Sequence, residues 1–374
     1  MKTALITFHA AYNYGSCLQA YALQHVIISM GFDNEIINYR FPEQKKAYRL
    51  IRNNGNTADL IKDVLQFPVF REKKKRAEKF EDFINNKLLI SKEVSDPDGL
   101  ADYANKYDVY ISGSDQIWNK HSNELNNVDW KYLYPYLLTF TDKKKISYAS
   151  SIGNTEDSEI VEYMLEYMKK FSAISAREHS VALRLTNLLG ETVTDVLDPT
   201  LLLTQKDYDS LFSLNDSRQA DKNYILYYSL SGINTVRKHL NWIKEISNGK
   251  KIIVNTPYAY IPNSKSTKNI VAIGPIEFLQ YIKNADTVIT DSYHGTLFSI
   301  NFEKNFYSLC KGLKGSEYRK AEVLQKLGLN QHLVEHTEDI GDLSRSENNG
   351  SYMDKLNSLR DQSKAFLREN LKHD

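Results

Sequence analysis

The chain has 374 residues, which is long for one domain and sufficient for two. Its 41% hydrophobic and 25% charged residues are typical of a globular protein, and a formal charge of +1 argues against a general nucleic-acid binder. Two cysteines distant in sequence, Cys17 and Cys310, indicate neither a disulfide scaffold nor a zinc site. The N-terminal apolar run is too short for a signal peptide and no stretch is long enough to cross a bilayer, so we expect a cytoplasmic protein.

The N-terminal segment predicts the opening βαβ unit of a parallel sheet. Residues 3–8 form a short apolar run typical of a strand, apolar residues within 18–27 have helical spacing, and residues 35–39 predict the second strand. Parallel sheets bind ligands at the carboxyl ends of their strands. Three polar side chains follow the first strand and could reach that edge: His9, Asn13 and Ser16.

Residues 43–92 predict a helical insertion in the first domain. A basic run at 71–76 precedes Phe80, Phe83 and Ile84, which have helical spacing. A solvated helix face explains the basic run most simply. Weak attraction to an anionic membrane surface or a polyanionic glycan is the alternative, so we expect at most peripheral membrane contact.

Further strands predict that the first domain continues to about residue 205. Strands are expected at 108–112, 145–150, 173–176 and 192–197, with a helix at about 157–170. The strand at 108–112 runs into Gly-Ser-Asp-Gln-Ile-Trp-Asn, which reads equally well as the lining of a site or as a plain βα turn. Arg177 and Glu178 follow the strand at 173–176. That arginine can bind a carboxylate or phosphate with two parallel hydrogen bonds, or simply pair with an acid.

A second α/β series follows a polar stretch at 203–222, which we interpret as a linker. Strands are expected at 224–230, 251–255, 269–273 and 305–309, and closing helices at 318–327 and 352–371. We therefore expect an α/β fold with two Rossmann-like domains facing across a cleft. The predicted division is 1–205 with its insertion at 43–92, then 206–345, then a C-terminal helix in 346–374.

The segment at 288–298 predicts a strand, a turn and a helix. Asp291 and Ser292 are both good helix N-caps, and the free backbone N–H groups and dipole of a helix start can bind a phosphate or carboxylate. Gly295 allows close approach to the backbone, and His294 carries a side chain that can move protons near neutral pH. An ordinary βα turn with a packed histidine explains the same pattern equally well.

Five segments in this order resemble the polysaccharide pyruvyl transferase family. They are Asn-Tyr-Gly at 13–15, Gly-Ser-Asp-Gln-Ile-Trp-Asn at 113–119, Ser-Ala-Arg-Glu at 175–178, Leu-Asp-Pro-Thr at 197–200 and Thr-Asp-Ser-Tyr-His-Gly at 290–295. The second and the last are the specific ones. The resemblance implies a fold of the GT-B kind and a transferase that uses phosphoenolpyruvate as its donor and needs no cofactor.

The same resemblance implies a pyruvate ketal on a sugar of a cell-surface polysaccharide, in exopolysaccharide or capsule biosynthesis, with release of phosphate. The acceptor would be that sugar or its lipid-linked oligosaccharide precursor, used in the cytoplasm at the inner face of the membrane. No nucleic acid and no metal are expected.

In family members an arginine of the first domain and a histidine of the second are linked to donor binding and catalysis, and these positions match Arg177 and His294. The chemistry of ketal formation suggests the following roles for these and the neighbouring residues. His294 would be the general acid, and Asp115 would orient or deprotonate the acceptor. Donor binding would fall to Arg177, Ser292, Tyr293, Gly295, Thr296 and Lys311. Acceptor binding would fall to Asn13, Tyr14, Ser114, Gln116 and Trp118. Some members have an arginine where this chain has Ser292, so either Lys311, Lys314 or Arg319 supplies the missing cation or the donor differs.

Two other functions stay open at this point. A GT-B glycosyltransferase that uses a nucleotide sugar would have the same architecture, with the motif at 290–295 holding a pyrophosphate. A glycan-binding relative without donor chemistry would explain the departure at Ser292.

Overall fold

The computed structural model describes residues 1–48, 70–126, 128–214, 223–257, 260–312, 318–335, 340 and 352–372. The chain divides into two compact units. The first takes the described residues of Met1–Arg49, Glu81–Leu202 and Asn357–Asp374, and the second takes those of Leu50–Phe80 and Leu203–Leu356. The C-terminal helix therefore contributes to the first unit, although it follows the second in sequence.

The first unit is built on one parallel sheet. Its strands are β1 (Lys2–Ile6), β2 (Asp33–Ile36), β3 (Val109–Ser112), β4 (Lys144–Ser150), β5 (Ala173–Ala176) and β6 (Thr194–Asp195). They lie in the spatial order β2-β1-β3-β4-β5-β6. The helices that begin in it are α1 (Tyr14–Ser29), α2 (Pro42–Ala47), α4 (Asp157–Tyr163), α5 (Leu165–Met168) and α6 (His179–Leu189), and α3 (Phe70–Lys87) runs from the second unit into the first.

The second unit has a parallel sheet of its own. Its strands are β7 (Tyr224–Tyr228), β8 (Lys251–Asn255), β9 (Thr267–Asn269), β10 (Thr287–Thr290), β11 (Asn305–Leu309) and β12 (Leu333–Val334), in the order β12-β11-β10-β7-β8-β9. Its helices are α7 (Gln205–Phe212), α8 (Ile233–Ile246), α9 (Pro275–Asn284), α10 (Tyr293–Asn301) and α11 (Tyr318–Leu327), and α12 (Tyr352–Leu371) closes the chain. The predicted α/β fold with two Rossmann-like parallel sheets is confirmed.

Burial explains why these segments are strands and helices. Every residue of β3, β7 and β10 is buried, as expected for strands covered by helices on both faces. Helix α8 instead buries one stripe, formed by Val236, Leu240 and Ile243. Each sheet thus carries a core between its helices and its strands.

The predicted linker at 203–222 was wrong for residues 205–212, which form α7. Thr204 caps this helix by accepting a bond from the Asp207 backbone N–H at 3.2 Å, and Asp207 accepts one from the Thr204 N–H at 2.7 Å. Tyr208 and Phe212 anchor the helix in the core. The reciprocal cap is a helix-start signal that outweighs the weak periodicity of so short a helix.

Other boundaries also differ from prediction. The helix expected at 157–170 is interrupted at Met164, whose φ of −127° is not helical. The strand expected at 269–273 instead ends at Asn269, because β9 pairs with β8 only through residues 267–269. The predicted insertion at 43–92 is helical in α2 and α3, and its residues 49–69 lie outside the described part of the chain. Within the residues described, no helix is long and apolar enough to cross a membrane.

Candidate active site

Each sheet has a point where its strand order reverses, and polar residues gather at both. In the first unit the reversal lies between β1 and β3. Ligands of open α/β sheets bind beside the carboxyl ends of such strands. The segments after these two strands are joined there: Thr7 Oγ1 donates to the Ser114 carbonyl at 3.0 Å, and Ser16 Oγ donates to Asp115 Oδ2 at 2.8 Å.

The Gly113–Asp115 turn depends on its glycine. Gly113 has a φ of +133°, and a Cβ there would lie 2.0 Å from the carbonyl oxygen of Tyr148 on β4. Asp115 itself has a φ of +80°, which is uncommon for a residue with a side chain. The turn therefore places the Asp115 carboxylate where the backbone N–H of Gln116 donates to Oδ1 at 2.9 Å.

Arg177 is enclosed by carboxylates. Its side chain is 0% exposed, and Nη1 lies 3.3 Å from Asp115 Oδ1 and 3.2 Å from Asp198 Oδ2, while Nε lies 2.8 Å from Glu178 Oε1. One guanidinium thus faces three acidic side chains, so the cluster carries a formal negative charge. Such a cluster holds Asp115 in place. The predicted contact between Arg177 and an anionic donor stays a prediction, and it would add further negative charge to this cluster.

The other residues predicted for the acceptor are mostly internal. Trp118 is 0% exposed and its indole N–H donates to the Tyr136 carbonyl at 2.9 Å. Tyr14 and Ser114 are also buried, and the Ser114 hydroxyl donates to the Ala149 carbonyl. Asn13 caps α1 through Gly15 N, and Gln116, which is half-buried, accepts from Asn119. Their acceptor contacts stay predictions, with Asn13 and Gln116 the more accessible.

His9 lies in the core rather than at the edge of the sheet. It is 0% exposed, and its ring nitrogens contact the Thr7 carbonyl at 3.2 Å and Asn38 Oδ1 at 2.9 Å. Burial lowers the pKa of His9 to about 4. It is therefore uncharged near neutral pH and stabilises the start of the βα turn.

Sequence reasoning missed Glu124, which lies in the irregular segment after β3. Its Oε1 accepts a hydrogen bond from the Tyr48 hydroxyl at 2.8 Å. Burial, followed by the negative charge of Asp115, raises the pKa of Glu124 to about 7. Nothing local marks this residue, because Tyr48 is 76 positions away in sequence.

The second unit has a pocket of about 210 Å³ at its own point of reversal, between β7 and β10. Segments after the four neighbouring strands β7, β10, β11 and β12 line it, together with the start of α10 and side chains of α8 and α11. Its lining residues are Leu230, Ser231, His239, Asp291, Ser292, Tyr293, Leu309, Cys310, Lys311, Arg319 and Glu335. Two cationic side chains and a helix N-terminus favour an anion, while the carboxylates of Asp291 and Glu335 in the same lining oppose one.

Asp291 and Ser292 were both predicted to be helix N-caps, and only one of them is. Ser292 is the N-cap of α10, and its Oγ accepts from Gly295 N at 3.3 Å. Asp291 is not a cap. Its carboxylate accepts from Ser229 Oγ at 2.6 Å, from the Leu230 N–H at 2.7 Å and from Ser231 Oγ at 2.7 Å. The carboxylate therefore ties β10 to the segment after β7 and defines one wall of the pocket.

The small size of Gly295 serves packing in this structure. A Cβ there would lie 2.6 Å from Thr290 Oγ1 and 3.0 Å from Tyr228 Cδ1, so α10 rests directly on the sheet. Thr296 is fully buried and bonds to the Ser292 carbonyl and, at 2.8 Å, to Ser308 Oγ. Donor contact by these two residues stays a prediction.

The cations predicted to replace the family's arginine lie at the pocket. Lys311 and Arg319 both line it, and the Arg319 guanidinium carbon lies 4.8 Å from the ring centre of Tyr293. Lys314 lies outside the described residues. His294 follows Tyr293 on α10, is 7% exposed, and is not among the lining side chains. Its role as general acid stays a prediction.

Among the residues that the structure describes, no three His, Cys, Asp or Glu side chains are grouped so as to hold a metal ion.

A sequence profile described as polysaccharide pyruvyl transferase matches residues 13–309 of the 374. The chain belongs to this family. The resemblance seen in the motifs is thus confirmed, and the chain is a transferase by family. None of the curated proteins searched matches it in sequence.

Solved structures show that this pyruvyl transferase family member has a fold of the GT-B kind. A UDP-GlcNAc 2-epimerase from Methanocaldococcus jannaschii has a TM-score of 0.52 at 14% identity, over 97% of this chain and 99% of that one. Arabidopsis thaliana UGT89C1 complexed with quercetin has a TM-score of 0.51 at 10% identity, over 97% and 94%. A putative UDP-N-acetylglucosamine 2-epimerase from Listeria monocytogenes has a TM-score of 0.50 at 11% identity, over 95% and 90%. At these identities the likeness concerns the fold alone.

Proposed function

We propose that the protein transfers pyruvyl from phosphoenolpyruvate to a sugar, forming a cyclic pyruvate ketal and releasing phosphate. The product would belong to a capsule or exopolysaccharide, or to its lipid-linked precursor at the inner face of the membrane. The observation that carries the donor assignment is the pocket of the second unit, with Lys311, Arg319 and the start of α10 in its lining. Family membership supplies the reaction class.

The size of the pocket favours a small anion. Pockets for drug-sized ligands usually have volumes of about 300–1,000 Å³, and this one has about 210 Å³. Phosphoenolpyruvate carries a phosphate and a carboxylate on three carbons, so one cation can meet each group. Two carboxylates also line the pocket, those of Asp291 and Glu335. Asp291 already accepts three hydrogen bonds, which lessens its repulsion of the donor, whereas Glu335 weakens the attraction of the pocket for an anion.

The chemistry requires an acid and a base. A proton is delivered to the methylene carbon, which makes C2 electrophilic, and two sugar hydroxyls bond to C2 as the C2–O bond to phosphate breaks. One hydroxyl proton balances the new methyl group and the other leaves with phosphate. We propose His294 as the acid, beside the anion-binding start of α10. No cofactor is needed for this reaction.

The test is incubation with phosphoenolpyruvate and a panel of galactosides and N-acetylmannosamine derivatives. We expect phosphate release together with the mass gain of one pyruvate ketal on an acceptor. Release of nucleoside diphosphate from a nucleotide sugar, without reaction of phosphoenolpyruvate, would instead establish a glycosyltransferase. Binding of glycans without turnover of either donor would establish a non-catalytic relative.

A further inference from the structure

Two carboxylates at the edge of the first sheet have contrasting surroundings. Asp115 is 7% exposed and interacts with Ser16 Oγ, Gln116 N and Arg177 Nη1, all of which stabilise its negative charge. Glu124 is half-buried and receives the Tyr48 hydroxyl at 2.8 Å, while the charge of Asp115 opposes its ionisation. A pair whose environments differ in this way can divide the roles of fixed charge and proton carrier.

An aromatic pair adjoins Glu124. The rings of Tyr48 and Tyr12 are 5.1 Å apart and tilted by 36°, and both residues are half-buried. Tyr12 is held in place because its hydroxyl donates to Glu81 at 2.9 Å, and Glu81 is fixed by Arg40 Nη1 at 3.0 Å from each carboxylate oxygen. Partly exposed, immobilised aromatic rings are suited to the apolar face of a sugar.

A buried hydroxyl lies in the same region. Tyr136 is 0% exposed, and its hydroxyl has no hydrogen-bond partner among the described residues. The charge of Glu124 is one of the causes that raise the pKa of Tyr136, after burial and Tyr39. A polar group that is buried without a partner costs free energy, so it indicates that a bound hydroxyl or water completes the cluster.

We propose that Glu124 is the base that accepts the proton of the attacking acceptor hydroxyl, and that Tyr12 and Tyr48 form the platform for the acceptor ring. The role rests on the proposed function. In the step, the acceptor O–H bond breaks and its proton passes to a Glu124 oxygen while the acceptor oxygen bonds to C2 of the protonated donor. The π electrons between C2 and the phosphate-ester oxygen move onto that oxygen, and phosphate then leaves as the second hydroxyl closes the ketal. Asp115 does not take the proton; it is the fixed charge that keeps Glu124 basic.

The test compares Glu124→Gln with Glu191→Gln, a matched change at an exposed glutamate of the same unit. We expect Glu124→Gln to lose about 10²–10⁴-fold in kcat, with unchanged acceptor KM, donor affinity and melting temperature. The wild-type rate should fall as pH drops below about 7, where Glu124 takes up a proton, and this limb should vanish in the variant. Glu191→Gln should match wild type throughout.

A second variant tests the hydrogen bond from the Tyr48 hydroxyl to Glu124. The Tyr48 hydroxyl favours the ionised form of Glu124, so Tyr48→Phe should move the pH limb upward while the plateau rate is retained. Retained kcat and an unaltered pH profile in Glu124→Gln would overturn the proposal. So would a loss of kcat explained by a lower folded fraction, with Tyr48→Phe leaving the limb where it was.

Failure of the proposed donor and failure of the proposed base give different results. If wild type uses a nucleotide sugar and not phosphoenolpyruvate, the proposed function fails while the Glu124 comparison is made on that reaction, since a sugar hydroxyl must lose a proton there too. If wild type turns over neither donor, both the proposed function and the base are overturned.

Discussion

Replacing Arg177 by methionine removes the cation from a cluster of three acidic side chains. Its side chain is 0% exposed, and the distances to Glu178, Asp115 and Asp198 are 2.8, 3.3 and 3.2 Å. Breaking a buried charge network by deleting one partner costs about 3–5 kcal/mol. We expect Arg177→Met to lower the free energy of unfolding by about that amount, measured by urea denaturation of the purified protein.

Two further variants divide this cost. Arg177→Lys keeps the charge but cannot reproduce a guanidinium that meets three carboxylates, so it should lose about one charged hydrogen bond, or roughly 1.5–3 kcal/mol. The matched control is Arg184→Met. The Arg184 side chain is 32% exposed; it contacts Asp157 and also donates to the Thr155 carbonyl at 2.7 Å. Its loss should therefore cost about 0–1 kcal/mol for the surface pair and about 0.5–1.5 kcal/mol for the hydrogen bond.

The affinity for phosphoenolpyruvate, measured by calorimetry on the same samples, shows whether Arg177 binds the donor or only positions Asp115. A folded Arg177→Lys with wild-type donor affinity would make the arginine a positioning residue. Weaker donor binding would support the role predicted from the family motif. Equal stability of Arg177→Met and wild type would refute the reasoning about the buried cluster altogether.

The remaining predictions concern the second unit. His294→Gln should fold and bind phosphoenolpyruvate but lose about 10²–10⁴-fold in turnover; a less stable yet fully active variant would end the general-acid proposal. Arg319→Met should weaken phosphoenolpyruvate binding by about 1.5–3 kcal/mol, since it removes a charged partner, and unchanged calorimetric affinity would place the donor elsewhere. Gly295→Ala should destabilise by about 1–3 kcal/mol through overpacking, whereas Gly232→Ala, where a Cβ meets nothing within 4 Å, should melt nearer to wild type.

The fold could be predicted because its signals are local. Each buried strand is a short apolar run, and α8 is indicated by the helical spacing of Val236, Leu240 and Ile243. The predictions of secondary structure were wrong where an element is short or where its end depends on pairing with another strand. Helix α7 spans only eight residues, and its decisive feature is the reciprocal cap between Thr204 and Asp207. The early end of β9 depends on pairing with β8, which no local pattern specifies.

Residue roles at the sites were harder to predict, because they depend on contacts between distant segments. Asp291 has the local properties of an N-cap, yet its carboxylate accepts hydrogen bonds from Ser229 and Ser231 instead. These serines lie 62 and 60 positions earlier in the sequence. Trp118 has the polar neighbours of a site lining, yet it is fully buried. The motifs lie in segments that the fold places beside the points of strand reversal, and tertiary packing decides which of their side chains are buried or bonded to neighbours.

Glu124 is a residue that the sequence motifs did not indicate, because its surroundings also depend on contacts between distant segments. Its carboxylate has no motif, and it becomes a candidate only because the fold brings Tyr48 and the charge of Asp115 to it. Asp115 was found from sequence because its neighbours in the turn are distinctive, but the contacts that fix its charge make it a poor proton acceptor. In the proposed mechanism, Asp115 is therefore the fixed charge and Glu124 is the residue that moves the proton. Variants at both positions, compared across pH, would separate these two contributions: loss of Asp115 should shift the limb of the rate profile downward, and loss of Glu124 should abolish it.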